Sequence, residues 1–222
     1  MSDTPLLIAG LGNPGAEYAR NRHNAGFMAV DTIHESYGFG PWRARFHGVA
    51  SEGSLGGRKT WLLKPGTYMN ESGRAVGDAM RFFKLPLNAV VVIHDELDLP
   101  AGKLKTKTGG GDAGNNGARS ITAAIGADYR RVRIGVGHPG GRGQVTGHVL
   151  GNFSKADEKE WLVPMLSAIA EAAPLLAKDN DIGFMNKIVL TLNPPRPKAP
   201  RPPAKLPPAK VPPLNTEEKE PE

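Results

Sequence analysis

The sequence contains no cysteine, and this absence excludes whole classes of protein. Disulfide scaffolds and zinc or iron–sulfur sites ligated by cysteine cannot be built from it. Aromatic residues are also few, at 6% of 222 residues. No uninterrupted apolar run approaches the ~18–20 residues that cross a bilayer, and the N-terminus lacks a basic segment followed by an apolar one. We therefore expect a soluble, cytoplasmic protein with no membrane partner.

Glycine and aromatic residues are missing altogether from residues 194–222, which hold 11 of the 20 prolines. Such a segment cannot bury enough apolar surface to offset the entropy lost on ordering. We predict one globular catalytic domain over residues 1–193 and a Pro-rich, disordered tail over residues 194–222.

Positive charge is concentrated in one part of the chain. The formal net charge is +6, and because the tail holds six basic and four acidic residues, residues 1–193 carry +4. Residues 101–145 contain eight Lys or Arg and only two acids, Asp112 and Asp128. This excess indicates a polyanionic partner, although a solvated charged face would have the same composition.

Short apolar runs alternate with helical patterns along residues 6–190. Buried strands are predicted at 6–9 and 90–93, a hairpin at 49–63 around Gly56-Gly57, and a half-exposed strand at 131–136. Helices are predicted at 27–37, 75–83, around 121–125, from a Ser154/Asp157 capping box towards Lys178, with Pro164 and Pro174 as candidate breaks, and at 182–190. The fold class is α/β: a single domain with a mixed, largely parallel twisted sheet and helices on both faces.

Gly10-Leu11-Gly12-Asn13-Pro14-Gly15 matches the dinucleotide-binding pattern G-x-G-x-x-G after a strand. Pro14 removes an amide donor from this turn, and Asp31, the acid at a suitable distance, falls inside a helical pattern. A dinucleotide-dependent enzyme is therefore disfavoured, and no cofactor is expected.

The continuation of this turn, through Tyr18 and Arg22-His23-Asn24-Ala25-Gly26, resembles the bacterial peptidyl-tRNA hydrolase family. Four further blocks resemble that family in the same order along the chain: 69–73, 94–100, the Gly-rich segment with Asn116-Gly117, and 133–140. The resemblance implies an enzyme that hydrolyses the ester of peptidyl-tRNA, releasing peptide and free tRNA, and so recycles peptidyl-tRNAs dropped during translation.

Ester hydrolysis at neutral pH needs a base with a pKa near 7, which histidine has. The resemblance implies His23 as the proton acceptor that activates water and Asp95 as its stabiliser. An Asp bonded to the far imidazole nitrogen would fix the tautomer, as in the serine triad, with water replacing serine.

The resemblance also implies a set of residues around the substrate. Asn13 would bind the first peptide carbonyl, and Asn70 would polarise the ester or hold water. Tyr18 and Tyr68 would contact the CCA end, with Met69 as an apolar wall and Asn116 lining the cleft. Beyond the cleft, Lys107 and Arg133 match by position the basic residues that hold phosphates of the acceptor stem in the family. Lys105 alternates with Lys107, so on a strand it would share the same face and is expected to contact phosphate as well.

Simpler explanations exist for several of these residues. His23 could be a capping or surface histidine, and Asn70 the N-cap of the helix over 75–83. His94, Asp95, Glu96 and Asp98 could suggest a metal site, but a strand end sends such side chains to opposite faces, so no metal is expected. Asn115 stands where the family commonly has histidine, which leaves that position without a titrating group.

The sequence thus predicts a monomeric, metal-independent esterase. A site built around peptide carbonyl contacts would spare free aminoacyl-tRNA, because an α-ammonium group would leave buried polar groups unpaired. The alternative from another class is a noncatalytic RNA-binding relative with the same fold.

Overall fold

Seven strands form the centre of the molecule in a computed structural model that describes residues 4–194. The strands are β1 Leu6–Gly10, β2 Arg43–Arg45, β3 Gly48–Leu55, β4 Arg58–Pro65, β5 Val90–Glu96, β6 Leu104–Thr108 and β7 Arg130–Gly135. They form one sheet in the order β2-β3-β4-β1-β5-β7-β6. The four central strands β4, β1, β5 and β7 run parallel, and the outer pairings β2–β3, β3–β4 and β6–β7 are antiparallel.

Helices cover both faces of this sheet. They are α1 Ala25–Ser36, α2 Ser72–Phe83, α3 Asn116–Ile125, α4 Val145–Val149, α5 Lys155–Asp157, α6 Val163–Ala177 and α7 Asp181–Leu192. Helices α1, α6 and α7 share one apolar core with one face of the sheet, while α2 and α3 share a second core with the other face. The predicted α/β class, with a mixed sheet between two helical layers, is confirmed.

Strand β1 alternates its side chains between the two cores. Leu6 and Ile8 belong to the α1 side, and Leu7 and Ala9 to the α2 side, all at most 1% exposed. Strand β5 does the same, which explains why both strands are continuous apolar runs in the sequence. The predictions of buried strands at 6–9 and 90–93 are confirmed.

Two glycines let α1 lie directly against the strand ends. A Cβ on Gly26 would lie 2.2 Å from the Ile93 carbonyl oxygen, and one on Gly10 would lie 2.2 Å from the Gly26 carbonyl oxygen. No side chain fits at either position. The chain leaving β1 is therefore held close to the carboxyl end of β5.

The hairpin β3–β4 turns at Gly56 and Gly57, which have φ of 55° and 85°, as predicted from the sequence. The capping box is also confirmed: Ser154 Oγ accepts from the Asp157 amide, and the Asp157 carboxylate accepts from the Ser154 amide. The helix that follows does not break at either proline. A π-helical turn, Glu158–Leu162, joins α5 to α6, and Pro174 lies inside α6.

The segment Lys155–Ala177 is, among residues 4–194, the one helix long and apolar enough to cross a membrane, with a hydropathy of 1.3. It is not an uninterrupted apolar run, since five of its first six residues, from Lys155 to Glu160, are charged. More than half of its most apolar window, 56%, is buried inside the protein. Its apolar face forms part of the core with α1 and α7.

The prediction of a half-exposed strand at 131–136 is wrong for β7, because two of its arginines are buried rather than solvated. Arg130 and Arg131 are 5% and 2% exposed. Arg130 forms ion pairs with Asp179 and Asp181, and Arg131 donates to the Gly110 and Gly111 carbonyl oxygens. Their charges are compensated inside the fold, so the positive charge of residues 101–145 does not form one continuous surface.

The predicted tail lies outside the described residues, apart from Pro194. The domain boundary at residue 193 stays a prediction.

Candidate active site

The carboxyl ends of the parallel strands border a cleft of about 430 Å³. Eight residues singled out in the sequence line it: Asn13, Tyr18, His23, Tyr68, Met69, Asn70, Asp95 and Asn116. They come from four separate segments of the chain. The chain that leaves β1 continues to β2, β3 and β4 on one side of β1, whereas β5 pairs with its other side. The strand order therefore reverses at β1, and open α/β sheets bind ligands at such a point.

His23 and Asp95 are in direct contact at the base of this cleft. His23 lies in the single 3-10 turn Arg22–Asn24 before α1, and Asp95 is the penultimate residue of β5. His23 Nδ1 lies 2.9 Å from each Asp95 carboxylate oxygen, and the two side chains are 11% and 2% exposed. With Nδ1–H donating to the carboxylate, Nε2 carries the lone pair of the neutral ring.

The pKa of His23 is raised above its ordinary value of 6.5. Burial of the imidazole is the largest single influence and lowers the pKa, but the charge of Asp95 and its hydrogen bond together outweigh it. The carboxylate therefore stabilises the imidazolium that forms when His23 accepts a proton. This arrangement can remove a proton from water.

Asn13 has its orientation fixed by two neighbours. Its Oδ1 accepts from the Met69 amide at 2.8 Å, so its Nδ2 group is the part that can donate into the cleft. Asn24 bonds both backbone groups of Asn13, its Oδ1 accepting from the amide and its Nδ2 donating to the carbonyl, each at 2.9 Å. The sequence analysis gave Asn24 no role, although it lies within the R-H-N block.

Asn115 was also given no role, and it contacts Asp95. Its Nδ2 donates to Asp95 Oδ1 at 3.0 Å and lies 3.2 Å from the Asp95 carbonyl oxygen. Its Oδ1 caps α3 by accepting from the amides of Gly117 and Ala118. A Cβ on Gly117 would lie 2.5 Å from Met69 Sδ, so any other residue here would have to displace the Met69 side chain.

The remaining cleft residues are more exposed. Tyr68 is 60% exposed, and Asn70 and Asn116 are exposed at the rim. Asn70 is not the N-cap of α2, because that position is occupied by Glu71 and Asn70 belongs to the preceding 3-10 turn. One wall was missed by the sequence analysis: Val145, Thr146, Val149 and Leu150, from α4 and the residue after it.

The three basic residues predicted to bind phosphate lie outside the cleft, on the sheet edge formed by β6 and β7. Lys105 pairs with Arg133 across these strands, so the two share a face. Arg133 forms an ion pair with Glu96 at 3.4 Å, which neutralises part of its charge. The ammonium group of Lys107 lies over Gly110 in the Gly-rich loop.

The turn after β1 does not have the geometry of a dinucleotide site. Helix α1 begins at Ala25, well beyond Gly15, so the glycines open onto the three-residue 3-10 turn Ala16–Tyr18 and not onto the N-terminus of an α-helix. Asp31 lies within α1 and forms an ion pair with Lys64. His94 is on the face of β5 opposite Asp95, and residues 4–194 contain no group of three His, Asp or Glu that could hold a metal ion.

Comparison with known proteins gives one consistent result. A sequence model described as peptidyl-tRNA hydrolase matches residues 7–196. Peptidyl-tRNA hydrolase of Parvibaculum lavamentivorans is 60% identical over 193 residues, which cover 87% of this chain and 94% of that protein. The Acidiphilium cryptum protein of the same name is 60% identical over 185 residues, covering 83% and 96%. The crystal structure of peptidyl-tRNA hydrolase from Acinetobacter baumannii superimposes with a TM-score of 0.79 at 39% identity, covering 85% of this chain and 96% of that one.

Proposed function

The chain belongs to the peptidyl-tRNA hydrolase family and is an ester hydrolase, and we propose that it cleaves peptidyl-tRNA by general-base catalysis with His23 and Asp95. The observation that carries this proposal is the 2.9 Å contact of His23 Nδ1 with both Asp95 oxygens at the base of a cleft lined by amides. No serine is needed, because water is the nucleophile and His23 is the base that activates it.

In the proposed reaction, His23 Nε2 takes a proton from water as the oxygen attacks the ester carbonyl between the peptide and the terminal ribose. The bond between the carbonyl carbon and the ribose oxygen then breaks, and the imidazolium gives its proton to that oxygen, which leaves as the ribose hydroxyl. Asp95 stabilises the imidazolium between these two steps. Asn70, exposed at the rim, polarises the ester carbonyl or holds the attacking water.

Asn13 is proposed to select for a peptide. Its Nδ2 donates to the first peptide carbonyl, and its orientation is set in advance by Met69 and Asn24. An aminoacyl-tRNA has no such carbonyl and presents an α-ammonium group instead, which leaves the Asn13 donor unpaired. N-blocked substrates are therefore favoured.

The acceptor end is proposed to lie along the rim and the neighbouring sheet edge. Tyr68 stacks on the terminal adenine, an interaction worth roughly 1–3 kcal/mol, while Tyr18, Met69 and Asn116 border the ester. Lys105, Lys107 and Arg133 contact phosphates without reading sequence. The activity would recycle tRNA from peptidyl-tRNAs released during translation, in the cytoplasm and as a monomer.

The test compares N-acetyl-aminoacyl-tRNA with free aminoacyl-tRNA as substrates of the wild type and His23→Ala. We expect hydrolysis of the N-acetylated substrate only, and a fall of about 10²–10⁴-fold in kcat for His23→Ala. His47→Asn is the matched control, since His47 is a half-exposed histidine paired with Asp78 outside the cleft.

Equal hydrolysis of the two substrates would contradict the role of Asn13, and an unimpaired His23→Ala would contradict the mechanism. Tight binding of N-acetyl-aminoacyl-tRNA without any hydrolysis would favour the alternative, a noncatalytic RNA-binding relative.

A further inference from the structure

Arg22, the residue before His23, connects the His23 turn to the α4 wall of the cleft. We propose that Arg22 is a positioning residue, which fixes the His23 turn relative to α4 and thereby holds the His23 imidazole in register with Asp95. This inference rests on the proposed function of His23 as general base.

The Arg22 guanidinium contacts three residues, all of which lie more than twenty positions after the end of α3. Nη1 donates to the Asn152 carbonyl oxygen at 2.9 Å and lies 3.5 Å from the His148 carbonyl oxygen, in the last turn of α4. Nη2 lies 3.3 Å from Asp157 Oδ2, in the last residue of α5. The Arg22 side chain is 19% exposed, and its contacts with His148 and Asp157 are partly buried, whereas the one with Asn152 is exposed.

Backbone bonds hold the same two segments together. The Arg22 amide donates to the Gly151 carbonyl oxygen at 3.0 Å, and the Phe153 amide donates to the Arg20 carbonyl oxygen at 3.1 Å. Asn21 forms an isolated bridge with Asn152, and its Nδ2 donates to Asn152 Oδ1 at 2.8 Å. The residues on the N-terminal side of His23 are thus attached to the link between α4 and α5.

These contacts couple the two walls of the cleft. Val145, Thr146, Val149 and Leu150 line the same cleft as His23. Any displacement of α4 that moves the His148 or Asn152 carbonyl acts on Arg22, whose backbone is bonded directly to His23. The planar guanidinium can donate in several directions at once, whereas a lysine ammonium on the same stem cannot hold all three partners in this geometry.

Loss of Arg22 has two opposite effects on the pKa of His23, and this makes the proposal testable. Four charged residues lie near the His23 imidazole. Asp95 contacts the ring, and Glu96 lines the same cleft. Arg22 precedes His23 in the chain and forms an ion pair with Asp157. Removing the positive charge of Arg22 alone would raise the pKa of His23. Loosening the His23–Asp95 contact would lower it, because the raising influence of Asp95 would weaken while burial remained.

The experiment uses Arg22→Lys, which keeps the charge, and Arg22→Gln, which removes it. Arg20→Gln is the matched control, because Arg20 lies two residues away and its ion pair is with Glu158, next to Asp157. Two quantities are measured: kcat and KM on N-acetyl-aminoacyl-tRNA, and the pKa of the His23 imidazole by NMR titration without substrate. We expect both Arg22 variants to lower kcat by about 10–10²-fold with a smaller change in KM, and to lower the pKa of His23.

A kcat and a His23 pKa in Arg22→Lys that equal those of Arg20→Gln would overturn the proposal. A raised pKa in Arg22→Gln, with an unchanged one in Arg22→Lys, would also overturn it, because it would show an effect of charge alone. If Arg22→Gln fails to fold, Arg22→Lys decides. If the wild type does not hydrolyse the substrate, the proposed function fails, whereas the NMR titration still tests the position of the imidazole.

Discussion

Asn115 donates through Nδ2 to Asp95 Oδ1 at 3.0 Å while its own Oδ1 caps helix α3. Asp95 therefore receives two donors, an imidazole N–H from His23 and an amide N–H from Asn115. The second donor comes from the residue that departs from the histidine common in the family. Because the amide does not titrate, the hydrogen bond from residue 115 to Asp95 does not depend on pH.

Replacing Asn115 separates its two roles. Asn115→Ser keeps a hydroxyl that can cap α3 but is too short to reach Asp95, so we expect an unfolding free energy close to that of the wild type and a kcat about tenfold lower. Asn115→Ala loses both roles and should also lose about 1 kcal/mol of stability. Urea unfolding and steady-state kinetics measure the two effects. Equal kcat values in wild type and Asn115→Ser would show that the contact with Asp95 does not assist catalysis.

The rate should depend on pH through His23. A general base must be neutral, and because Asp95 raises the pKa of His23 in the free enzyme, we expect kcat/KM to increase with pH through a midpoint above 6.5. Asp95→Asn removes the charge while burial remains, so the midpoint should move to lower pH and kcat should fall about 10²–10⁴-fold. Initial rates over a pH series check both. A midpoint that stays in place in Asp95→Asn would rule out Asp95 as the cause of the shift.

Stability should depend on pH through His94. This buried histidine donates from Nδ1 to the Asp95 carbonyl oxygen, and in the described part of the chain its Nε2 meets no partner. Burial lowers its pKa below 6.5, so its contribution to stability is present above pH 6.5 and is lost as the pH falls towards the folded-state pKa.

His23 has the opposite sign, since its raised pKa contributes stability below pH 6.5 that is lost as the pH rises through the folded-state value. We therefore expect His94→Asn to reduce the loss of unfolding free energy between pH 7 and pH 5, and His23→Gln to increase it. Urea unfolding at a series of pH values measures these slopes. Identical slopes in His94→Asn and the wild type would exclude His94 as a source of acid sensitivity.

Binding of the tRNA should depend on salt through Lys105 and Lys107. Each phosphate contact contributes about 0.9 to the slope of log K against log salt on duplex nucleic acid, so replacing both lysines by Gln should reduce the slope by about 2. Lys59 and Lys187, which form ion pairs with Glu52 and Glu171, provide the matched double control. If both pairs of substitutions change the slope equally, the charge acts from a distance and no phosphate site exists on β6.

Most of the fold could be predicted because the central strands carry a direct signal. Strands β1 and β5 are buried on both faces, and a continuous apolar run is the pattern that such strands require. The ends of helices are equally local: Ser154 and Asp157 are three residues apart and form the capping box that their spacing indicates. The motifs that resemble the family include the eight singled-out residues that line the cleft.

What could not be predicted depends on partners far away in the chain. The alternation in β7 is the same whether its arginines face water or ion pairs, and the acids that neutralise Arg130 lie about fifty residues later, at Asp179 and Asp181. The α4 wall is a five-residue helix with glycines around it, too short to show a periodic pattern. The sequence does not distinguish Arg22 from other charged residues, because its partners His148, Asn152 and Asp157 lie far along the chain.

The order of the strands separates the assembly of the molecule into an earlier and a later step. The elements that carry His23 and Asp95 are complete by residue 96, whereas β6 pairs in the described sheet with β7, which ends at Gly135, and the partners of Arg22 follow at His148, Asn152 and Asp157. A chain that folds from its N-terminus would therefore lack both the proposed phosphate-binding edge and the contacts that hold the His23 turn until residues 130–157 are present.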